Sequence, residues 1–417
     1  MRLERFLLIL SCAAGLADAI RLPSVIQNVL GIGRPKTSAI PQFILDTEHP
    51  WLKDNKRWLS RYPGVRNAIC DKSSPLWQNP ATDAHILPQD LFHELGINNN
   101  KAGISRLGWK NLAERSQEMN NCPAALQDVR HLRLDIYAHD SKWSDYAEDS
   151  IPPPEVPQLF AEVLSSMTGL ERLDFGVSGK ASASFERAFT KANITLPSVT
   201  DILPGAYSDW LLPRCPNAEV VVAGGYFDHW SWAEYEPELN AIKDKHEALI
   251  DATRGLPLRK LDMKWGWSTE LLERLLDASP NLTILNMDGP LNRYNRMKVS
   301  EAEALKRYLS ILAQFSHLEE LRLPAAHELD LGYEGGAGCG NAYFGESGRA
   351  YGRMVAQEDA ETIEAAAAIV HDALPQLKSF TIGSQSPNIT LNDAGRMEMS
   401  WPWTGRMEEY TYEVWPK

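Results

Sequence analysis

Seven short segments of the chain share one arrangement of apolar and polar positions, apolar-x-x-apolar-x-apolar. They are Val129-x-x-Leu132-x-Leu134, Leu170-x-x-Leu173-x-Phe175, Ala218-x-x-Val221-x-Ala223 and Leu258-x-x-Leu261-x-Met263, then Leu282-x-x-Leu285-x-Met287, Leu318-x-x-Leu321-x-Leu323 and Leu377-x-x-Phe380-x-Ile382. The last two apolar positions flank one residue of the opposite face, as in a strand buried on one side, and the first anchors the chain on its way in. Ahead of several segments the period becomes helical. Leu159, Phe160, Val163, Leu164 and Met167 share one face, as do Leu271, Leu272, Leu275 and Leu276 behind Ser268, an expected N-cap. Ser300 and Glu303 form a capping-box pattern before Leu305, Tyr308, Leu309 and Leu312. A recurring strand, loop, helix, strand order predicts an α/β fold with parallel strands and helices behind them.

The residue between the last two apolar positions points away from the core. Arg133, Asp174, Asp262, Asn286, Arg322 and Thr381 fill that slot, a mixed row in which charges on neighbouring strands can pair; Arg133, Asp174, Asp262 and Arg322 are the ligand-binding residues expected if the aromatics of the loops after the strands only fill those loops. Parallel strands also place the loops that follow them on one edge. Tyr137, His139, Trp143, Tyr146, Tyr226, Phe227, His229, Trp230, Trp232, Trp265 and Trp267 fall there. Aromatics give large contact area at small entropic cost. Trp230, Trp232 and Trp267, with Tyr226 and His229 beside them, are therefore expected as ligand anchors. The competing expectation is that they pack beneath their own loops.

The LxxLxL series resembles the leucine-rich-repeat superfamily in its ribonuclease-inhibitor-like form, and in particular the repeat portions of fungal F-box proteins and their secreted relatives. The resemblance spans roughly residues 125–385. It implies an irregular solenoid with parallel strands, helices on the convex side and a cap at each end. Two features depart from the family pattern: no Asn or Cys follows LxxLxL, and strand spacing runs from 24 to 59 residues against the usual 20–29 or so. No F-box-like segment precedes the repeats, so that role does not carry over.

The expected organisation is a signal peptide over 1–19, an N-terminal cap over 20–125, repeats over 126–385 and a C-terminal cap over 386–417. The signal peptide rests on Arg2 and Arg5, the apolar run from Phe6, and Ala17-Asp18-Ala19 as a small-x-small cleavage site. Trp51 to Ser60 reads as a helix within the first cap. Tyr410, Tyr412 and Val414 alternate as a terminal hairpin would. Ile151-Pro152-Pro153-Pro154 reads as a stiff connector. Gly332 to Gly352, with eight glycines, reads as a surface insertion with no helix opening from it, and it lacks a phosphate-loop pattern.

Secretion changes how the rest is read. Asn193-Ile194-Thr195, Asn281-Leu282-Thr283 and Asn388-Ile389-Thr390 become N-glycosylation acceptors, with Asn281 the least accessible because it adjoins a strand. Cys70 and Cys122 both precede the repeats and are expected to form a disulfide; Cys215 and Cys339 are left either bridged or unpaired. A net charge of −13 without basic clusters argues against nucleic acid and anionic membranes as partners. No later stretch is long and apolar enough for a membrane span. No cofactor or metal motif is present.

The chain therefore reads as a secreted, non-catalytic binding glycoprotein whose partner is an extracellular protein or a glycan. The enzymatic alternative is a secreted glycoside hydrolase on a (β/α)8 barrel, using carboxylates near strand ends such as Asp135, Asp140, Asp174, Asp228, Asp262, Asp288 and Glu328.

Overall fold

The computed structural model describes residues 40–45, 49–59, 64–77, 86–98, 105–136, 151–177, 179–205, 207–223, 236–264, 266–291, 301–391 and 397–416. Residues 1–19, expected as a signal peptide, Ser300, and the aromatics Tyr137, His139, Trp143, Tyr146, Tyr226, Phe227, His229, Trp230, Trp232 and Trp265 lie outside these residues, as do Asp140 and Asp228. The chain forms two compact units, residues 1–218 with 225–230, and residues 219–224 with 231–417. All described strands of the main ladders run parallel.

In the first unit, β1 (Glu94–Asn98), β2 (His131–Ile136), β3 (Arg172–Val177) and β4 (Asp201–Leu203) pair in sequence order. Leu132, Leu134, Ile136, Leu173, Phe175, Val177 and Ile202 are all buried, and each alternates with a less buried neighbour, as a sheet covered on one face requires. The cover is helical: α4 (Ser105–Asn120) precedes β2, α6 (Glu155–Ser165) precedes β3 and α7 (Gly179–Lys191) precedes β4. Phe175 meets Phe185 of α7 edge-to-face at 5.3 Å, and Phe185 meets Phe160 of α6 edge-to-face at 5.9 Å. Offset and edge-on aromatic pairs add to the stabilisation from burial alone.

Before β1 the chain makes α1 (Gln42–Leu45), α2 (Pro50–Leu59), α3 (Val65–Ile69) and a 3-10 turn at Pro75–Trp77. Phe92 is packed between Phe43 (6.3 Å) and Trp77 (5.5 Å). Cys70 is bonded to Cys122, which caps α5 (Pro123–Asp128) and is fully buried. The cysteine pairing expected from sequence is thus present. Cys215 is free and buried, and Cys339 is free and exposed; burial pushes the Cys215 thiol up to about 12.

In the second unit, β5 (Val220–Val222), β6 (Lys260–Met263), β7 (Ile284–Met287), β8 (Glu320–Leu323) and β9 (Ser379–Ile382) again pair in sequence order. The helices are α8 (Glu236–Ala252), α9 (Thr269–Ala278), α10 (Glu301–Leu312) and α11 (Gly345–Ala373). Ser268 caps α9, its hydroxyl accepting from Leu271 N at 3.2 Å, so the local N-cap signal is realised. Among the described residues each ladder is open and no closed barrel forms: β1 pairs only with β2 and β9 only with β8. The barrel that the hydrolase alternative needs is therefore corrected. No described helix is long and apolar enough to cross a membrane.

Three further expectations are corrected. A strand, β1, lies inside the 20–125 stretch read as cap; Phe92-x-x-Leu95-x-Ile97 carries the same apolar signature as the seven other segments. The glycine-rich stretch is half helix, because α11 opens at Gly345. Gly352 is needed there, since a Cβ on it would stand 2.8 Å from the Trp415 ring. Finally, Tyr410, Tyr412 and Val414 belong to a helix, α12 (Met407–Val414). Glu408 and Glu409 lie in its first turn, where the helix dipole favours acids, and α12 packs on α11. The C-terminal hairpin lies earlier, β10 (Asn388–Leu391) against β11 (Met397–Ser400).

Candidate functional site

The strand face opposite the helices is left uncovered by them, and its side chains are half-buried or exposed. In the first unit the register sets Gly96, Arg133, Asp174 and Leu203 side by side, and Glu94, His131, Arg172 and Asp201 in the next row. Asp174 is the node. Its Oδ1 accepts from Arg172 Nε at 2.9 Å, and its Oδ2 lies 3.0 Å from His131 Nε2. Burial pushes this carboxyl up, but the hydrogen bonds from His131 and Arg172 outweigh it and hold Asp174 below the usual aspartate range. The same hydrogen bond raises Arg172 above the ordinary arginine value. Asp174 is thus an ionised acceptor, unsuited to donating a proton.

Arg133 points outward, its side chain 63 % exposed, and reaches only Asp135, at 3.5 Å. Asp135 lies opposite Gly176 in the register, where the missing side chain leaves its carboxylate room. The Oδ1 of Asp135 is buried without a hydrogen-bond donor among the described residues.

The second unit carries the row Val222, Asp262, Asn286, Arg322 and Thr381. Asn286 Nδ2 donates to Asp262 Oδ2 at 3.1 Å, while Asp262 Oδ1 is buried without a donor among the described residues. Arg322 is directed at Asp288, 3.8 Å away, which also lies 4.0 Å from Lys264. The sequence-derived row is therefore real within each unit, but apart from the Asn286–Asp262 hydrogen bond its charged members pair along strands and with the next row. Arg133 does not bond Asp174, and Asp262 does not bond Arg322.

Trp267 is a correction. It is fully buried, so it offers no surface to a ligand. The cause lies in the backbone: Trp267 N donates to Pro290 O at 3.1 Å, and Trp267 bridges Leu291 in parallel. The two chains leaving β6 and β7 run together and enclose the indole. Trp230, Trp232, Tyr226 and His229 lie outside the described residues.

Comparison with known protein families, curated proteins and solved structures finds no match for this chain.

Asn193, Asn281 and Asn388, expected from sequence as glycosylation acceptors, are all exposed, and Asn281, expected to be the least accessible, is no exception. Asn193 has a second task. At φ 48° it takes the left-handed position that ends α7, with Ile194 N donating back to Phe189 O at 3.0 Å, a helix stop in which Asn is one of the few tolerated side chains. Among the described residues no group of three His, Cys, Asp or Glu side chains is arranged to hold a metal ion. Sequence reasoning missed His131 and Arg172, which orient Asp174. The signal was available: residues two apart on a strand share a face, so 131, 133 and 135 belong together, as do 172 and 174.

Proposed function

We propose that this chain is a secreted, N-glycosylated, non-catalytic binding protein of irregular leucine-rich-repeat type, and that it meets an extracellular protein or glycan through the strand face its helices leave uncovered. The observation that carries this reading is the state of that face within each unit: in the first, Arg133 is exposed beside half-buried Asp174, and in the second, Arg322 is exposed in the same row as half-buried Asp262. A face of mixed, partly satisfied charges is suited to specific polar recognition. Exposed acceptor asparagines and a disulfide fit an oxidising, extracellular setting.

The test uses the full chain secreted from a eukaryotic host and presented to arrays of defined glycans and of extracellular proteins. Arg133→Glu and Arg322→Glu invert exposed charges without entering the core. The reading expects a selective partner whose capture falls by about tenfold or more with one of these changes. Undiminished capture by both variants, or a chain retained in the cell without glycans, would refute it.

A further inference from the structure

A second surface of the first unit, away from the uncovered strand face, has the features of a ligand groove. It lies between the proline connector before α6 and the outer side of α7, and encloses about 330 Å3. Ile151, Pro152, Pro154 and Ala188 give it an apolar lining, with Arg187 and Lys191 alongside. Ile151 is 54 % exposed among the described residues, an apolar side chain at the edge of the groove.

The charges are the informative part. Arg187 and Lys191 stand one helical turn apart on α7 and both are exposed. Like charges at this spacing destabilise a helix. Lys191 also lies in the last turn of α7, where a cation complements the helix dipole; Arg187 adds a second positive charge that this role does not need. Neither has a carboxylate partner among the described residues. Arg187 donates only to the Ser184 hydroxyl, at 3.0 Å. In a chain with net charge −13, two cations one turn apart with no ion-pair partner among the described residues, beside an apolar floor, match a ligand that is anionic at one end and apolar along its length.

We propose that this groove binds a free amphiphilic carboxylate of medium chain length. Size sets the length. A cavity of about 150 Å3 takes benzene with its six or so heavy atoms, so the groove of about 330 Å3 suits about thirteen, close to the size of dodecanoate. The carboxylate sits between Arg187 and Lys191, and the alkyl chain lies over Ile151, Pro152 and Pro154.

Titration calorimetry of the full chain with dodecanoate below its micelle concentration tests this. The expected result is saturable binding with a Kd tighter than about 1 mM. Acetate and dodecyltrimethylammonium, which supply one half of the ligand each, should bind at least about tenfold more weakly. Arg187→Gln with Lys191→Gln should lower dodecanoate affinity about tenfold or more, and so should Ile151→Asp. The thermal midpoint should stay at the parental value in each variant, since all three side chains are exposed. The proposal is overturned if dodecanoate fails to bind, if either control ligand binds equally well, or if the variants bind as the parent does. The first two outcomes remove the amphiphile site, and the third moves it elsewhere on the protein.

Discussion

Replacing Trp267 distinguishes a residue that holds the fold from one that holds a ligand. The indole is fully buried, and the Trp267 carbonyl accepts from Tyr308 Oη at 3.0 Å. That hydrogen bond uses the backbone and survives truncation, so Trp267→Ala removes packing alone. Core aromatic truncations cost about 3–5 kcal/mol. One term opposes this: Trp267 Nε1 is buried without an acceptor among the described residues, and losing such a donor returns about 1–3 kcal/mol. The net is expected to be about 2 kcal/mol. Trp267→Phe keeps most of the apolar volume and also removes the donor, so it should stay within about 1 kcal/mol of the parent. Urea unfolding with an unchanged m-value reads both. In a unit of this size each kcal/mol moves the thermal midpoint by about 2–4 °C, so the alanine variant should melt about 4–8 °C lower. A parental midpoint for Trp267→Ala, or a phenylalanine variant less stable than the alanine one, would refute this account of the indole.

The disulfide closes a loop over a sequence separation of 52, for which the chain-entropy model gives about 4 kcal/mol. Cys70→Ser with Cys122→Ser should lose about that much in denaturant unfolding, and an unshifted midpoint would contradict it. Asp174 is held below its ordinary value of 3.8, so its contribution is full above that value and is lost as pH falls through it toward the lower folded-state value. Acid titration of stability should therefore be shallower in Asp174→Asn than in the parent over that window; parallel curves would remove Asp174 as the node. Intact mass before and after endoglycosidase should reveal N-glycans at Asn193 and Asn388 on the chain secreted by a eukaryotic host, and an unshifted mass would exclude them.

The sequence by itself determined which residues enter the core and what local signals end or start an element. The period-two segments became strands because their apolar residues, such as Leu132 and Leu134 or Leu321 and Leu323, are buried together, and Ser268 caps α9 through a contact three residues away. These effects act over a few residues, so a single chain carries them in plain view. The strand β4 was harder to read, because Val199-x-x-Ile202 is followed by Pro204 where the third apolar residue would stand. The helix α12 was misread because an alternating Tyr410, Tyr412 and Val414 ignores the surface it docks against on α11. What only the tertiary structure decided was how distant backbones align. Trp267 is buried because the chain at Pro290 and Leu291 runs beside it. Asp174 is ionised and oriented because the β2 to β3 register brings His131, 43 positions earlier in the chain, within 3.0 Å. Neither relation leaves a mark on local periodicity. A loop aromatic and a core aromatic look alike in sequence, and a charge's partner depends on which strand lies next to it and at what register.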